Sequence, residues 1–492
     1  MSQKSKLNRT QEYYEKIKEL DPYNSGEDKR ELDVTKWFSL CIRDILVYNA
    51  DDKQFWYFNG KYWEADNCSV FAQSQADYFC DAIKMYSNHL DSVTQKKGGH
   101  NFKAKYYAVE SYIKAINNLG KFGNRAKLLK DVAHRISVCY EDFDKDKNLI
   151  NCQNGTYDIR NKVFRKHRSE DLITKITPVV YKEDAVSDDW NKFLNEVMDE
   201  DQSKVEYLQK LFGYCLTGST VQGQMYIFYG ETTRNGKSTM TETVSYVLGR
   251  NKGYSSNSQP DMIAQKKMYS RGPSEDIARL KGVRAVFISE PPKNMVLNCA
   301  LIKQLVGEDT VTARKLYGHE FEFMPECKII MHTNYLPRFY DESLVKGNKL
   351  VVITFNRHFS EEEQDHTLKK RLQEEDNVSG IFNWMLKGLE MYESEGLKKP
   401  SSIEQDTSTY YSMNDYVGNF IAEHLIPMDD AVENGTSIYN RYKEFCKAEK
   451  IEVCSNREFY KALEEHGVAI DHGKVDGREC RKRIRDFKIR KL

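Results

Sequence analysis

Paired cysteines are missing from this chain. Its 11 cysteines are odd in number and never stand as Cys-x-x-Cys, so neither a disulfide scaffold nor a zinc ribbon is expected and the thiols read as reduced. Long apolar runs are missing too. None approaches the roughly 18 residues that a membrane-spanning helix needs, and the stretch from Met1 to Arg9 lacks the apolar core of a signal peptide. The expectation is a soluble, cytoplasmic chain with no membrane partner. Net charge is missing as well, since 74 Lys+Arg balance 74 Asp+Glu. What is present is size and apolar mass: 492 residues, 40% hydrophobic and 12% aromatic, too long for one core and rich enough to fill two or three.

The neutral sum hides two basic stretches. Residues 96–130 hold nine Lys/Arg against the single acid Glu110, and residues 474–492 hold nine against Asp476, Glu479 and Asp486. Patches of this density face a polyanion or remain as solvated surface. The first 36 residues are charged and broken by Pro22-Tyr-Asn-Ser-Gly26, which predicts a flexible leader over 1–36. From Trp37 the texture is globular. Phe55 to Trp63 reads as two aromatic strands joined at Asn59-Gly60. Helical periodicity follows to about Val138, then a β segment over Leu149–Asp158 and a helix near Trp190–Met198. Between residues 205 and 360, four apolar runs (Met225–Tyr229, Ala285–Ile288, Lys328–Met331 and Leu350–Val352 with Ile353) alternate with helical stretches, as in a buried, mainly parallel α/β sheet. From Tyr416 the pattern predicts three helices, the third opened by a Ser455/Glu458 capping box, and a hairpin across Asp471–Gly477.

The sharpest chemical signal is a strand, a polar turn and a helix over Met225–Val247. Its Thr233, Arg234, Asn235, Gly236, Lys237, Ser238 and Thr239 form a turn of the kind that aims backbone N–H groups and a helix N-terminus at phosphates. Lys237 then reaches the β/γ-phosphates of ATP, and the Ser238 hydroxyl serves Mg²⁺. Five residues separate Gly230 from Gly236 where the strict spacing has four, so the loop is one residue longer and Gly230 is not given the first-glycine role. Glu290 ends an apolar strand 53 residues after Lys237, where an ATPase places the acid that orients Mg²⁺ and the attacking water. Asn334 ends another such strand and is placed to hydrogen-bond the γ-phosphate or the water. Between them, residues 305–323 read as a β-hairpin whose tip offers Lys315 and His319 to a DNA backbone.

Together, Asn235-Gly-Lys-Ser after a strand, Ser289-Glu290, the Gly307/Asp309/Arg314 segment and Asn334 resemble the motifs of superfamily 3 helicases. More narrowly they resemble the phage, plasmid and poxvirus primase-helicase family. The resemblance spans roughly residues 37–480. Trp56, Tyr57, Gly60, Trp63 and Asn154-Gly155 are similar to that family's N-terminal collar. Asp276, Ala278, Leu280 and Gly282 match the segment before the acid strand, and Trp384 and Gly388 the helix after the ATPase.

The resemblance implies an α/β fold. Its parts are a collar of α+β type over 37–200 and an AAA+-like P-loop ATPase core over 201–400, while the three helices and basic hairpin after Tyr416 outline a C-terminal winged-helix domain over 415–492. It implies a homo-oligomeric ring, expected hexameric, that hydrolyses ATP to unwind DNA 3′→5′ with single-stranded DNA in its channel. Two departures stand out. Where the family has an arginine finger this chain has Lys349, with Arg357 as the competing residue. Ahead of the collar there are only 36 residues, so priming is expected from a separate primase or host replication proteins.

The expectation that follows is a replication initiator of a phage, plasmid or phage-satellite island in a bacterial cytosol, reading duplex origin DNA with its C-terminal domain. Asn456, Arg457, Tyr460 and Lys461 would face the groove, and Lys474, Arg478, Arg481, Lys482, Arg483 and Arg485 the backbone. The rivals are a helicase recruited by another protein, an ATP-binding DNA regulator that does not translocate, and a small-molecule kinase.

Overall fold

A short strand, β1 (Leu46–Asn49), pairs antiparallel with β2 (Gln54–Phe58), which turns at Asn59-Gly60 into β3 (Trp63–Ala65). β4 (Ser137–Val138) joins β1 in parallel and completes a sheet of order β3-β2-β1-β4. Gly60 takes φ +98°, a left-handed conformation that glycine alone adopts freely, while Asn59 Oδ1 accepts the Lys61 and Tyr62 N–H groups. These facts come from a computed structural model that describes residues 3–20, 34–95, 122–265, 274–314, 320–341, 343–449 and 451–490.

Helices Val34–Ile42, Val70–Gln95 and Phe122–Val132 pack over this sheet around Phe38, Phe79, Ile83 and Val132. The expected flexible leader is corrected here. Residues Gln3–Leu20 form a helix, Tyr13 and Ile17 are buried in the same core, and the Tyr13 hydroxyl donates to Gln75 Oε1 at 2.7 Å. An i, i+4 apolar stripe inside a charged segment is enough to anchor it.

A three-stranded antiparallel meander follows, β5 (Leu149–Asn151), β6 (Thr156–Asp158) and β7 (Val163–Arg165). Helix Asp188–Val197 is N-capped by Ser187 and helix Gln202–Tyr214 by Asp201. The second of these crosses helix Glu375–Glu395 at paired glycines. A Cβ on Gly213 would stand 2.1 Å from Leu389 N, and one on Gly388 2.0 Å from the Gln209 carbonyl, so only glycine permits this approach.

Five strands build the central sheet. β8 (Met225–Tyr229), β9 (Ser255–Ser258) and β10 (Ala285–Ser289) come first. An antiparallel hairpin, β11 (Val311–Arg314) and β12 (Glu320–Phe323), is then inserted before β13 (Lys328–Thr333) and β14 (Leu350–Thr354). The order is β14-β8-β13-β10-β9 and every pairing is parallel. Burial on both faces explains the largely apolar sequences of β8, β10, β13 and β14. Strand β14 is an edge, and helix Ser401–Met413 closes it with side chains. Thr407 Oγ1 accepts the Val352 N–H at 3.1 Å, and the Tyr411 hydroxyl serves both the N–H and the carbonyl of Leu350. Asp406 receives the Thr354 hydroxyl at 2.7 Å and the Lys204 ammonium at 3.2 Å.

The last unit has its own core of Phe420, Ile438, Tyr442, Phe459, Leu463 and Ile484. Helix Tyr416–His424 leads into β15 (Leu425–Asn434), two helices (Gly435–Glu449 and Asn456–Glu465) and the hairpin β16 (Ile470–Val475) with β17 (Arg478–Ile489). The sheet order is β15-β17-β16.

Candidate functional site

In register, Tyr229 lies opposite Thr333 and Thr354, and Ser289 opposite His332. The carboxyl ends of β8, β10, β13 and β14 therefore share one edge, where open α/β sheets bind ligands. At that edge residues 230–236 turn into helix Lys237–Leu248. The turn wraps the Lys237 ammonium, which donates to the Gly230 carbonyl at 3.2 Å and to Asn235 Oδ1 at 2.8 Å. Asn235 is held in turn by its Nδ2 donating to the Thr232 carbonyl at 2.6 Å. Lys237 is only 4% exposed, and burial pulls its pKa down to about 8. A dry ammonium facing neutral oxygens is complementary to an incoming anion.

Gly236 begins the helix at φ +80°, and a Cβ there would meet Val197 Cγ2 at 2.4 Å. Gly230 has a role that its spacing did not reveal. A Cβ on it would lie 2.2 Å from Asn235 Nδ2 and 2.8 Å from Lys237 Nζ, so glycine there is what lets the lysine fold back over the strand end. Ser238 and Thr239 are half-buried in the first helical turn, while Thr233 and Arg234 are exposed. The segment after β14 buttresses the loop, a contact that no motif signals. The Arg234 carbonyl accepts Phe359 N–H at 2.9 Å, the Thr233 carbonyl meets His358 Nδ1 at 2.9 Å, and Arg234 pairs with Glu361 at 3.2 Å.

Glu290 is exposed one residue beyond β10 at φ +52°, and its N–H donates to the His332 carbonyl at 3.3 Å. Asn334 is half-buried one residue beyond β13. The structure thus brings Lys237, Glu290 and Asn334 to neighbouring strand ends. It adds His332, whose ring Nδ1 lies 3.0 Å from Thr241 Oγ1 on the loop's helix. Burial, then the Lys237 charge, holds its pKa below the usual histidine range. The signal for His332 was a polar residue on the Ile330 face of an apolar strand, the face packed against Met240 and Val244.

The two finger candidates separate. Lys349 precedes β14, its carbonyl accepting the Met225 N–H at 2.8 Å, at the opposite edge from the loop. Arg357 follows β14 on the loop's own edge, ion-paired with Glu363 and 5.2 Å over the Phe359 ring. Lys315 and His319 lie outside the described residues; their stem is β11 and β12.

In the C-terminal unit, Asn456, Arg457 and Lys461 are exposed on helix Asn456–Glu465, and Arg478, Arg481 and Arg485 on β17. Two expectations need correction. Tyr460 is buried, 5% exposed, in the core, because the helix turns its Phe459/Tyr460 side inward. Arg483 is spent in a two-bond pair with Asp471, both contacts at 2.7 Å, since the register sets these residues opposite each other across the hairpin. Among the described residues, no helix is long and apolar enough to cross a membrane.

Residues 35–199 match the family described as D5 N terminal like, and residues 228–344 match a family of unknown function, DUF5906. A protein of Acanthamoeba polyphaga mimivirus named "Putative helicase" is 25% identical over 430 residues, 81% of this chain and 44% of that protein. "Primase D5" of fowlpox virus is 26% identical over 223 residues, 42% of this chain and 27% of that protein. The chain therefore spans less than half the length of these relatives. Among solved structures, the apo form of the NrS-1 C-terminal region is 11% identical with a TM-score of 0.47, covering 94% of this chain and 100% of that one. That likeness is too loose to assign any residue. The sequence matches relate the chain to the D5-type primase-helicases.

Proposed function

We propose that this relative of the D5-type primase-helicases is an ATP-driven DNA helicase, assembled as a ring expected to be hexameric, that initiates replication by binding and unwinding an origin. One observation carries the reading: the buried Lys237 ammonium rests between two neutral oxygens at the sheet edge where Glu290 and Asn334 also end their strands. When ATP enters, Lys237 exchanges those oxygens for the β/γ-phosphates, and the N–H groups of Gly236 to Thr239 take the remaining charge. Ser238 and Glu290 are the residues that would hold Mg²⁺, which keeps most of its shell as water and phosphate oxygen and so needs few protein ligands. When bound, that ion neutralises charge developing on the γ-phosphoryl group. Glu290 orients the attacking water and Asn334 holds it or the γ-phosphate.

In this reading residues 37–200 form the collar, 201–400 the AAA+-like core and 415–492 a winged helix. The β11/β12 hairpin carries Lys315 and His319 to single-stranded DNA in the channel, and 3′→5′ travel follows from the superfamily 3 resemblance. The arrangement of helix, strand, two helices and basic hairpin supports a duplex-reading C-terminal domain. The test is unwinding of a forked duplex by the full chain with ATP and Mg²⁺, beside Lys237→Ala. ATP-dependent strand separation that the variant loses is expected. Hydrolysis without any unwinding would favour a regulator that binds DNA but does not translocate.

A further inference from the structure

His332 touches, through two different atoms, both halves of the apparatus that the proposed reaction must keep aligned. It is the penultimate residue of β13, on the face covered by helix Lys237–Leu248. Its carbonyl accepts the Glu290 N–H at 3.3 Å, and its ring Nδ1 lies 3.0 Å from Thr241 Oγ1. Thr241 Oγ1 in turn lies 3.1 Å from the Lys237 carbonyl and 3.3 Å from that of Ser238, which ties the ring to the turn bearing both residues. Thr241 is 1% exposed and His332 8%, so solvent does not replace this bond. Packing alone would be met by an aliphatic side chain, as at Ile330 on the same face. A hydrogen-bonded imidazole additionally fixes the distance and rotation of the helix relative to the strand.

We propose that His332 is a positioning residue: through Thr241 it sets the helical turn that carries Lys237 and Ser238, and through its carbonyl it sets Glu290, so that these groups meet at a fixed separation. The inference rests on the ATPase reading. It places the effect on the chemical step, because removing the ring leaves Lys237 and the N–H groups of its helical turn in place as a unit and alters only their separation from Glu290. Loss of an outer partner of this kind costs about 10- to 100-fold.

The test is steady-state ATP hydrolysis by the full chain. Thr241→Val, close in shape and lacking the hydroxyl, and His332→Phe should each lower kcat about 10- to 100-fold while KM stays within about threefold. Thr241→Ser, which keeps the hydroxyl, should stay within about twofold of wild type, and the double variant should be no slower than the slower single. A rise in KM at unchanged kcat, or single effects that multiply in the double variant, would overturn the inference and leave the ATPase reading standing. Wild-type hydrolysis no faster than that of Lys237→Ala would overturn the reading itself.

Discussion

Lys237 and Lys328 are both buried ammonium groups held near a pKa of about 8 by burial, and their partners separate the binding role proposed for Lys237 from a structural one. Lys328 donates to three carbonyls, those of Thr217, Ser219 and Glu326, and stands 4.6 Å over the Tyr214 ring. Lys237 has two acceptors that lie at the mouth of a strand edge. Lys237→Ala should therefore leave the fold intact and reduce hydrolysis by at least about 10²-fold, whereas Glu290→Gln should slow hydrolysis as much while still binding ATP; equilibrium binding beside turnover checks both. Gly230→Ala should resemble Lys237→Ala, because its Cβ would occupy the space of Asn235 Nδ2. For Lys328 the depression from 10.5 to about 8 corresponds to a folding penalty on the order of 3 kcal/mol. The penalty is fully present below pH 8. It disappears as pH rises towards 10.5, because the unfolded chain keeps its proton longer than the folded one. Lys328→Met removes this dependence, so the Tm of wild type minus that of the variant should rise by a few degrees between about pH 7.5 and about pH 9.5. A difference that stays flat would mean that Lys328 titrates normally.

Strand β14 and its capping helix carry the clearest prediction for an element. An edge strand leaves alternate backbone groups unpaired, and here Thr407 and Tyr411 satisfy those of Val352 and Leu350. Tyr411→Phe or Thr407→Val should each cost roughly 1–3 kcal/mol by stranding a buried donor, read by urea unfolding, and should speed amide exchange at Leu350 or Val352 respectively. Neither change touches the sheet edge that carries Lys237, so the proposed hydrolysis should persist. The sequence reveals β14, β8, β10 and β13 because strands buried on both faces must be apolar. It conceals β9, Ser255-Ser-Asn-Ser258, which lies at the sheet's other edge and pairs through a polar sequence. The helix Gln3–Leu20 is hidden for a related reason, since a stripe as narrow as Tyr13 and Ile17 leaves most of its surface charged. At the site, Lys237, Glu290 and Asn334 are legible because their chemistry fixes their place at strand ends. Gly230, His332 and the 355–361 buttress are not, because they act through tertiary packing. The Asp471–Arg483 pair is likewise invisible, since it depends on a register shift between Asp471 and Gly473.

At the scale of the whole molecule, the proposed ring calls for a cation that completes a neighbour's site, and the proposed origin binding calls for a C-terminal unit that reads sequence. A residue acting on an adjacent subunit need not lie on its own loop's edge, which suits Lys349, whereas Arg357 sits beside its own loop. Removing a trans finger costs on the order of 10³-fold or more, so Lys349→Ala mixed with Lys237→Ala subunits should recover partial hydrolysis. Arg357→Ala in the same mixture should not, and the reverse pattern would exchange the two roles. The C-terminal unit meets the core through Lys346–Glu465 at 3.0 Å and through the Tyr340 hydroxyl, which accepts the Glu452 N–H at 3.4 Å. Helix Ser401–Met413, which closes β14, belongs to the core. Deleting residues 415–492 should therefore leave an ATP-hydrolysing chain that has lost preference for origin DNA. Within that unit the arginines divide by their partners. Arg457 is exposed at the start of helix Asn456–Glu465; if that helix reads DNA as proposed, Arg457→Ala should cost about 1–3 kcal/mol on cognate DNA and relax specificity. Arg481 is exposed on β17, so Arg481→Ala should weaken cognate and scrambled DNA alike and reduce the salt slope by about one. Arg483→Ala should act differently from both, because its guanidinium is already held by Asp471. It breaks an internal ion pair without removing a phosphate contact, so it should lower stability and leave the salt slope close to that of wild type. Binding of the full chain to cognate and scrambled duplexes across a salt series measures all three; equal affinity for the two sequences in wild type would replace the initiator with a helicase recruited by another protein.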